Sequence, residues 1–317
     1  VGARLGVVRA GARGAEAMAA HSRAALDRLL RVPAELWVAV AVDEGTLLGT
    51  FQRAAGMPRP PVLARRGSGG PEVLVAEGTV HVELSLEHPG AFGGADARRI
   101  VNRSVRPLLR GLSRVLGAAG PASYFGRDWV SAGASPCAWV GFAHDATTRR
   151  TSFEAFVAVR TPFASAPRAS FRGKEPRSLE SLAHRSIDPS AVAEAIVEAY
   201  VAEATGGAVE LAAEPDLGAG PIPHDDLYAD PAWTATAEEA IGLVGAGLDA
   251  RGAFRVGGDL LASRDAMARL ELAAATAADE DLASVVNGTL GAAGVALDGV
   301  RSLVTIRDVI AAARFHG

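Results

Sequence analysis

Arg65-Arg66-Gly67-Ser68-Gly69-Gly70 closes one β-like run, residues 62–66, and is followed by a second, residues 73–76, and then by Glu77-Gly78-Thr79. Glycines let backbone N–H groups approach a phosphate or carboxylate closely, and arginine adds a forked, permanent positive charge. The stretch is not a P-loop, because no Gly-Lys-Ser/Thr follows. It is not a nucleophile elbow, because Gly-x-Ser-x-Gly is not satisfied around Ser68. Two readings remain open for the loop itself: a turn with solvated arginines, or an anion-binding loop.

Outward from the loop the chain reads as alternating β runs and helices. Short β-like runs cover residues 36–42, 46–52 and 79–86 as well as the two that flank the loop. In the last of these, Val80, Val82, Leu84 and Leu86 alternate with His81, Glu83, Ser85 and Glu87, a period of two that predicts a strand with one buried face. An apolar stripe at helical spacing predicts a helix over 16–32, ended by Pro33. A second is predicted over 95–116, with Pro107 inside it and Gly117 beyond. Strands follow at 137–143 and 153–159, and Asp188-Pro189 opens another helix. Residues 1–15 read as a frayed terminus, and 161–177 as a long loop. Residues 212–232 carry Pro215, Gly218, Gly220, Pro221, Pro223 and Pro231 without periodicity, the pattern of a linker. Two strands, a Gly257-Gly258-Asp259 turn and three helices come after it. The expected fold is α+β. A mixed, mainly antiparallel sheet flanked by helices occupies 1–211, a linker 212–232, and a small C-terminal α/β accessory domain 233–317.

Composition narrows the classes. The 317 residues are 49% hydrophobic and 21% charged, with a net charge of −4. A chain of this length buries roughly three quarters of its unfolded surface and needs no disulfide or metal staple. The charge argues against a general nucleic-acid or anionic-membrane binder. No segment reaches the ~20 apolar residues of a membrane span, and no secretory leader is evident, so the expectation is a cytoplasmic protein. The chain begins with Val rather than Met, consistent with a few residues missing upstream.

The order of these pieces, with the double-arginine glycine loop, resembles the lipoate–protein ligase A family of the biotin/lipoate ligase and octanoyltransferase superfold. Leu48-Gly49-Thr50-Phe51-Gln52 is similar to the family's strand-end Gly-x-x-Gln, and Gly126-Arg127-Asp128 to its Gly-Arg-Asn-Asp segment, one residue shorter. The resemblance implies binding of lipoate or octanoate and of ATP with Mg²⁺, formation of an acyl-adenylate, and transfer to a lysine of a lipoyl-carrier domain. It places Arg65, Arg66, Ser68, Gly69 and Gly70 at the activated carboxylate and phosphate, with Gly78 and Thr79 beside them. The family's third loop glycine and its His-Asp pair are replaced by Pro71, Val75 and Ala76. The family's lysine turn here reads Gly133-Ala134-Ser135-Pro136-Cys137. Ser135 falls closest to the missing lysine, and the chain's sole lysine, Lys174, lies well beyond it. Loss of a preorganised cation costs roughly 10²–10³ in rate, so Arg127 or Lys174 would have to supply the charge in its place, with Arg127 the better placed of the two. The alternative expectation is a non-catalytic relative that binds an acyl ligand, nucleotide or carrier domain.

Other candidates are weaker. Cys137, the single cysteine, begins an apolar run and reads as a core residue more than as an acyl-carrying nucleophile. His144-Asp145 reads as a turn with a solvated imidazole, and His224-Asp225-Asp226 as exposed linker. The seven histidines show no metal-ligand spacing, and no protein-held metal is expected. Arg168, Arg172, Lys174 and Arg177 form a basic cluster read as solvated.

Overall fold

In the computed structural model, the described residues are 4–57, 59, 62–97, 99–126, 128–163, 174–212 and 224–315. The first part of the chain contains β1 (Leu5–Arg13), α1 (Ala15–Ala24), β2 (Ala34–Ala41), β3 (Gly45–Leu48), β4 (Leu63–Arg65), β5 (Val73–Val75) and β6 (Val80–Leu86). It continues through α2 (Ile100–Leu116), β7 (Ala122–Tyr124), β8 (Trp129–Ala132), β9 (Ser135–His144), β10 (Thr151–Val157), α3 (Leu179–Ala183), α4 (Pro189–Glu203) and β11 (Ala208–Glu210). After α5 (His224–Tyr228) come β12 (Ala235–Glu238), β13 (Leu243–Leu248), β14 (Phe254–Gly258), β15 (Leu261–Ala262), α6 (Arg264–Thr276), α7 (Leu282–Leu290), β16 (Leu297–Asp298) and α8 (Leu303–Phe315). No described helix is long and apolar enough to cross a membrane.

The main sheet has eight strands in the order β11-β1-β2-β6-β10-β9-β8-β7. β1 pairs in parallel with both β11 and β2, and the remaining pairings are antiparallel. The fold is thus the expected mixed, mainly antiparallel sheet flanked by helices. One face packs on α2 and α4: Val80, Val82, Leu84 and Leu86 of β6 and Phe153, Ala155 and Val157 of β10 share a core with Ile100, Leu108, Leu112 and Ile196. Each of the valine, leucine, isoleucine and phenylalanine side chains contributes roughly 1.5–3 kcal/mol by leaving water. α4 starts where the sequence marks it, with the Asp188 side chain accepting from Ser190 N and Pro189 in the first turn. α2 runs unbroken through Pro107. The two helices approach closely at Gly111, where a Cβ would stand 2.8 Å from Ile196 Cα, and Tyr200 Oη donates to Ser104 O at 2.7 Å.

The other face is covered by α1 and by a three-stranded sheet ordered β4-β3-β5. Here three expectations are corrected. β1 is no frayed end: Leu5, Val7 and Val8 are buried between its two parallel neighbours. α1 stops at Ala24 rather than reaching residue 32, and Leu29 of its expected stripe is 81% exposed. Just past its end, Arg28 reaches the sheet, where its Nη1 lies 2.8 Å from Glu35 Oε2. Finally, β6 is buried along both faces, polar residues included.

The C-terminal region builds its own core from β13, β14, α6, α7 and α8, with Val244, Met267, Leu270, Val286, Ile306 and Ile310 at its centre. It docks on the main sheet side through a parallel bridge between His144 and Ser263, a backbone bond from Gly70 N of the glycine loop to Leu260 O, and another from Gly258 N to Phe51 O.

Candidate functional site

The double-arginine loop leaves β4 and lies between the second face of the main sheet and the C-terminal region. Three glycines permit this. Added Cβ atoms would stand 2.0 Å from Gly70 O at Gly49, 2.0 Å from Leu260 O at Gly69, and 2.3 Å from Ser68 Oγ at Gly141. Gly70 also has φ +99°, which L side chains rarely adopt. The loop's N–H groups are bonded within the protein: Gly67 N to Ser22 Oγ at 2.9 Å, Gly69 N to Phe142 O at 2.8 Å, and Gly70 N to Leu260 O at 2.9 Å.

The two arginines have different surroundings. Arg66 is 2% exposed. Its Nε donates to Ser68 Oγ (2.9 Å), Nη1 to Leu47 O (2.9 Å), and Nη2 to Gly69 O (3.0 Å) and Pro71 O (2.6 Å). Glu154 Oε2 lies 3.6 Å from its Nε. Burial pulls the Arg66 pKa down, and Glu154 opposes that. Arg65 donates through Nη1 to Gly49 O at 3.0 Å and Gln52 O at 2.6 Å, and it borders a cleft of about 550 Å³. The opposite wall of that cleft comes from the C-terminal side, with Trp233, Arg251, Arg255 and Glu271. Arg53, also on the cleft, places its guanidinium 3.7 Å from the Trp233 ring centroid.

The remaining sequence-derived candidates lie elsewhere in the fold. Gly78 (φ +83°) and Thr79 form the β5–β6 turn, with Gly78 N donating to Ala41 O and Thr79 Oγ1 accepting from Ala76 N. Ser135 opens β9 opposite Ala132 of β8. Among the described residues no hydrogen bond joins these three to the loop. Arg127, Arg168 and Arg172 lie outside the described residues; Lys174 is exposed, and Arg177 donates to Ser181 O. Cys137 is fully buried, and burial pushes its thiol up to about 12, which removes thiolate chemistry at neutral pH. His144 is buried rather than solvated; its Nδ1 lies 2.9 Å from Thr151 Oγ1, and burial lowers its pKa.

Sequence reasoning missed a polar cluster beneath the loop. His81 and Glu83 of β6, Glu154 of β10 and Glu35 of β2 are all 0% exposed. Register places Glu83 beside Glu154 on the neighbouring strand. Ser68 Oγ donates to Glu154 Oε2, and His81 Nε2 is 2.7 Å from Glu154 Oε1. Ser85 Oγ donates to Glu83 Oε1 at 2.8 Å, and His21 Nε2 is 3.4 Å from the same oxygen. Burial raises the Glu83 carboxyl, but His21, Arg28 and His81 outweigh it and hold the pKa down to about 2. Rings enclose the cluster: His21 stacks on Trp37 at 4.2 Å and His81 on Phe156 at 4.3 Å, with Trp37 edge-on to His81 at 5.1 Å. The period-two alternation of His81 and Glu83 was the available signal.

A further buried acid sits at the seam with the C-terminal region. Asp259, the last residue of the Gly-Gly-Asp turn, accepts from Gln52 Nε2 at 2.7 Å and from Leu243 N at 2.8 Å. Burial raises its pKa from 3.8 to about 7, with Glu72 adding repulsion. The folded state therefore holds a proton that the unfolded state has lost between these two values. Stability is expected to be fullest below about pH 4 for this group and to fall as pH rises through about 7. Asp259→Asn should flatten that slope in thermal melts, and an unchanged slope would refute the assignment.

No family model and no curated protein sequence matches this chain. Solved structures do. The P. falciparum LipL1 structure in complex with lipoate superposes with a TM-score of 0.66 at 11% identity, over 96% of this chain and 99% of that one. The bipartite lipoate protein ligase from Thermoplasma acidophilum, described with its E2 lipoyl domain, gives 0.50 at 16% identity, over 68% of this chain and 89% of that one. At these identities what is shared is the architecture: the chain has the fold of these lipoate ligase structures.

Proposed function

We propose that this chain binds an acyl group of the lipoate or octanoate class, or the lipoyl-type carrier domain that bears it, without the lysine-dependent adenylation chemistry of a ligase. One observation carries the reading. The Arg66 guanidinium, which the family resemblance assigns to the phosphate, is buried with its Nε, Nη1 and Nη2 all donating to protein oxygens. The loop N–H groups of Gly67, Gly69 and Gly70 are bonded as well. In this arrangement the loop does not fit ATP with Mg²⁺. Serine at position 135 supports the same reading, since a hydroxyl gives one hydrogen bond and no charge.

A second reading, an ATP-dependent acyl ligase, is favoured by one contact. Gly70 N is covered by Leu260 O of the C-terminal region, so displacement of that region would free a donor.

The deciding experiment mixes the protein with ATP, lipoate or octanoate and a lipoyl domain, and measures both AMP release and lipoyl-domain binding by calorimetry. The expected result is binding without AMP, and AMP release by the parent chain would overturn the proposal. Ser135→Lys is expected to release no AMP either, because Arg66 remains engaged. A gain of roughly 10²–10³ in that variant would instead show a pocket intact except for its lysine.

A further inference from the structure

We propose that His81, Glu83 and Glu154 form a buried site for a divalent first-row transition metal of the zinc class. One donor atom from each residue lies within 4.8 Å of the other two, and all three residues are 0% exposed. Imidazole with two carboxylates is a donor set suited to Zn²⁺, Fe²⁺ or Mn²⁺ rather than to Ca²⁺.

The hydrogen bonding of the three side chains points the same way. Each carboxylate accepts a serine hydrogen bond on one oxygen and no hydrogen bond on the other. Glu154 takes Ser68 Oγ on Oε2, and its Oε1 has no donor. Glu83 takes Ser85 Oγ on Oε1, and its Oε2 has none. Neither His81 nitrogen makes a hydrogen bond, although Nε2 stands 2.7 Å from Glu154 Oε1. Buried polar atoms are rarely left unsatisfied, and several unsatisfied atoms meeting in one place mark a missing partner. His21 Nε2, also without a hydrogen bond, stands 3.4 Å from Glu83 Oε1 and offers a further nitrogen. The pattern of one oriented oxygen and one bare one matches how outer partners fix metal-binding carboxylates. Ser68 and Ser85 fill that outer role here, and the rings of Trp37 and Phe156 fix the plane of His81.

Charge is consistent with a cation. Arg28 is engaged by Glu35 at 2.8 Å and reaches Glu83 Oε1 only at 4.0 Å. Arg66 directs its Nε to Ser68 and comes no closer than 3.6 Å to Glu154. A dication with neutral His81 would balance the charge at Glu83 Oε2 and Glu154 Oε1, the two carboxylate oxygens that face neither arginine. The inference is independent of the proposed function, since it concerns no acyl ligand.

The test is elemental analysis of the full chain expressed in media supplemented with zinc, manganese or iron. It is followed by chelation and titration with Co²⁺, read by visible absorption and by melting temperature. The expected result is one metal per chain, ligand-field bands with Co²⁺, and a higher melting temperature with metal. His81→Gln and Glu83→Gln should abolish all three. Ser68→Ala, which leaves the three ligands in place, should weaken binding by roughly 10–100-fold and keeps the test decisive if the other variants do not fold. Native circular dichroism with no bound metal from any medium, and no response on refolding with Zn²⁺, Mn²⁺ or Co²⁺, would overturn the proposal and leave an imidazole–carboxylate pair only. Metal binding unchanged in His81→Gln would overturn it equally.

Discussion

Arg66→Ala is expected to lower folding stability by about 3–5 kcal/mol, the loss typical when one partner of a buried ion pair is removed. The variant strands the Glu154 carboxylate without its nearby guanidinium and leaves the carbonyls of Leu47, Gly69 and Pro71 without their donor. Whole domains are stable by only about 5–15 kcal/mol, so much of the protein's margin would go. The anion-loop reading of the sequence would instead have Arg66→Ala reduce ligand affinity and leave the fold intact. Urea unfolding separates the two: a midpoint equal to that of the parent would show that Arg66 is not structural. Arg66→Met combined with Glu154→Leu should cost less than the sum of the single changes, because neither charge is then left alone.

The second large effect is expected at Gly69. A methyl group there would stand 2.0 Å from Leu260 O and 3.1 Å from Leu260 C. Both obstacles are backbone and cannot rotate aside, so Gly69→Ala must push the C-terminal region off the loop and break the Gly70–Leu260 hydrogen bond. An overpacking cost of about 1–3 kcal/mol follows. Faster amide exchange over residues 258–263 should accompany it. Gly288→Ala is the control: nothing lies within 4 Å of the added methyl, and in α7 it should stabilise by roughly 0.5–1 kcal/mol. Equal exchange in the Gly69 variant and the parent would mean that the loop contact does not hold the C-terminal region.

These expectations rest on features the sequence showed unevenly. α4 was legible because Asp188 and Pro189 are local start signals whose chemistry acts within one turn. The order of strands around the loop was legible too, since short apolar runs separated by glycine and proline need no distant information. β1 was not, because what holds Leu5 and Val7 are partners at residues 34–36 and 208–210. The second face of β6 was misread for a related reason. His81 and Glu83 look solvent-facing when the partners that bury them, Glu154, Ser68 and His21, come from three separate stretches of chain. The loop itself was found correctly as a special backbone. What the sequence could not show is that its donors would be satisfied internally, by Phe142 from one strand and Leu260 from beyond the linker.

The placement of β1 also bears on how the chain emerges during synthesis. Leu5 pairs with Ala34 on one side and with Ala208 on the other. At about 5–20 residues per second, the second partner is made roughly 10–40 s after the first. Through that interval β1 presents one row of bare amides and carbonyls, the kind of edge on which stray strands add. The edge closes only when β11 arrives and Arg9 reaches Glu194 and Glu210. Completion of the sheet therefore waits on translation of its last strand, and a nascent chain paused before residue 208 is the form most in need of a chaperone.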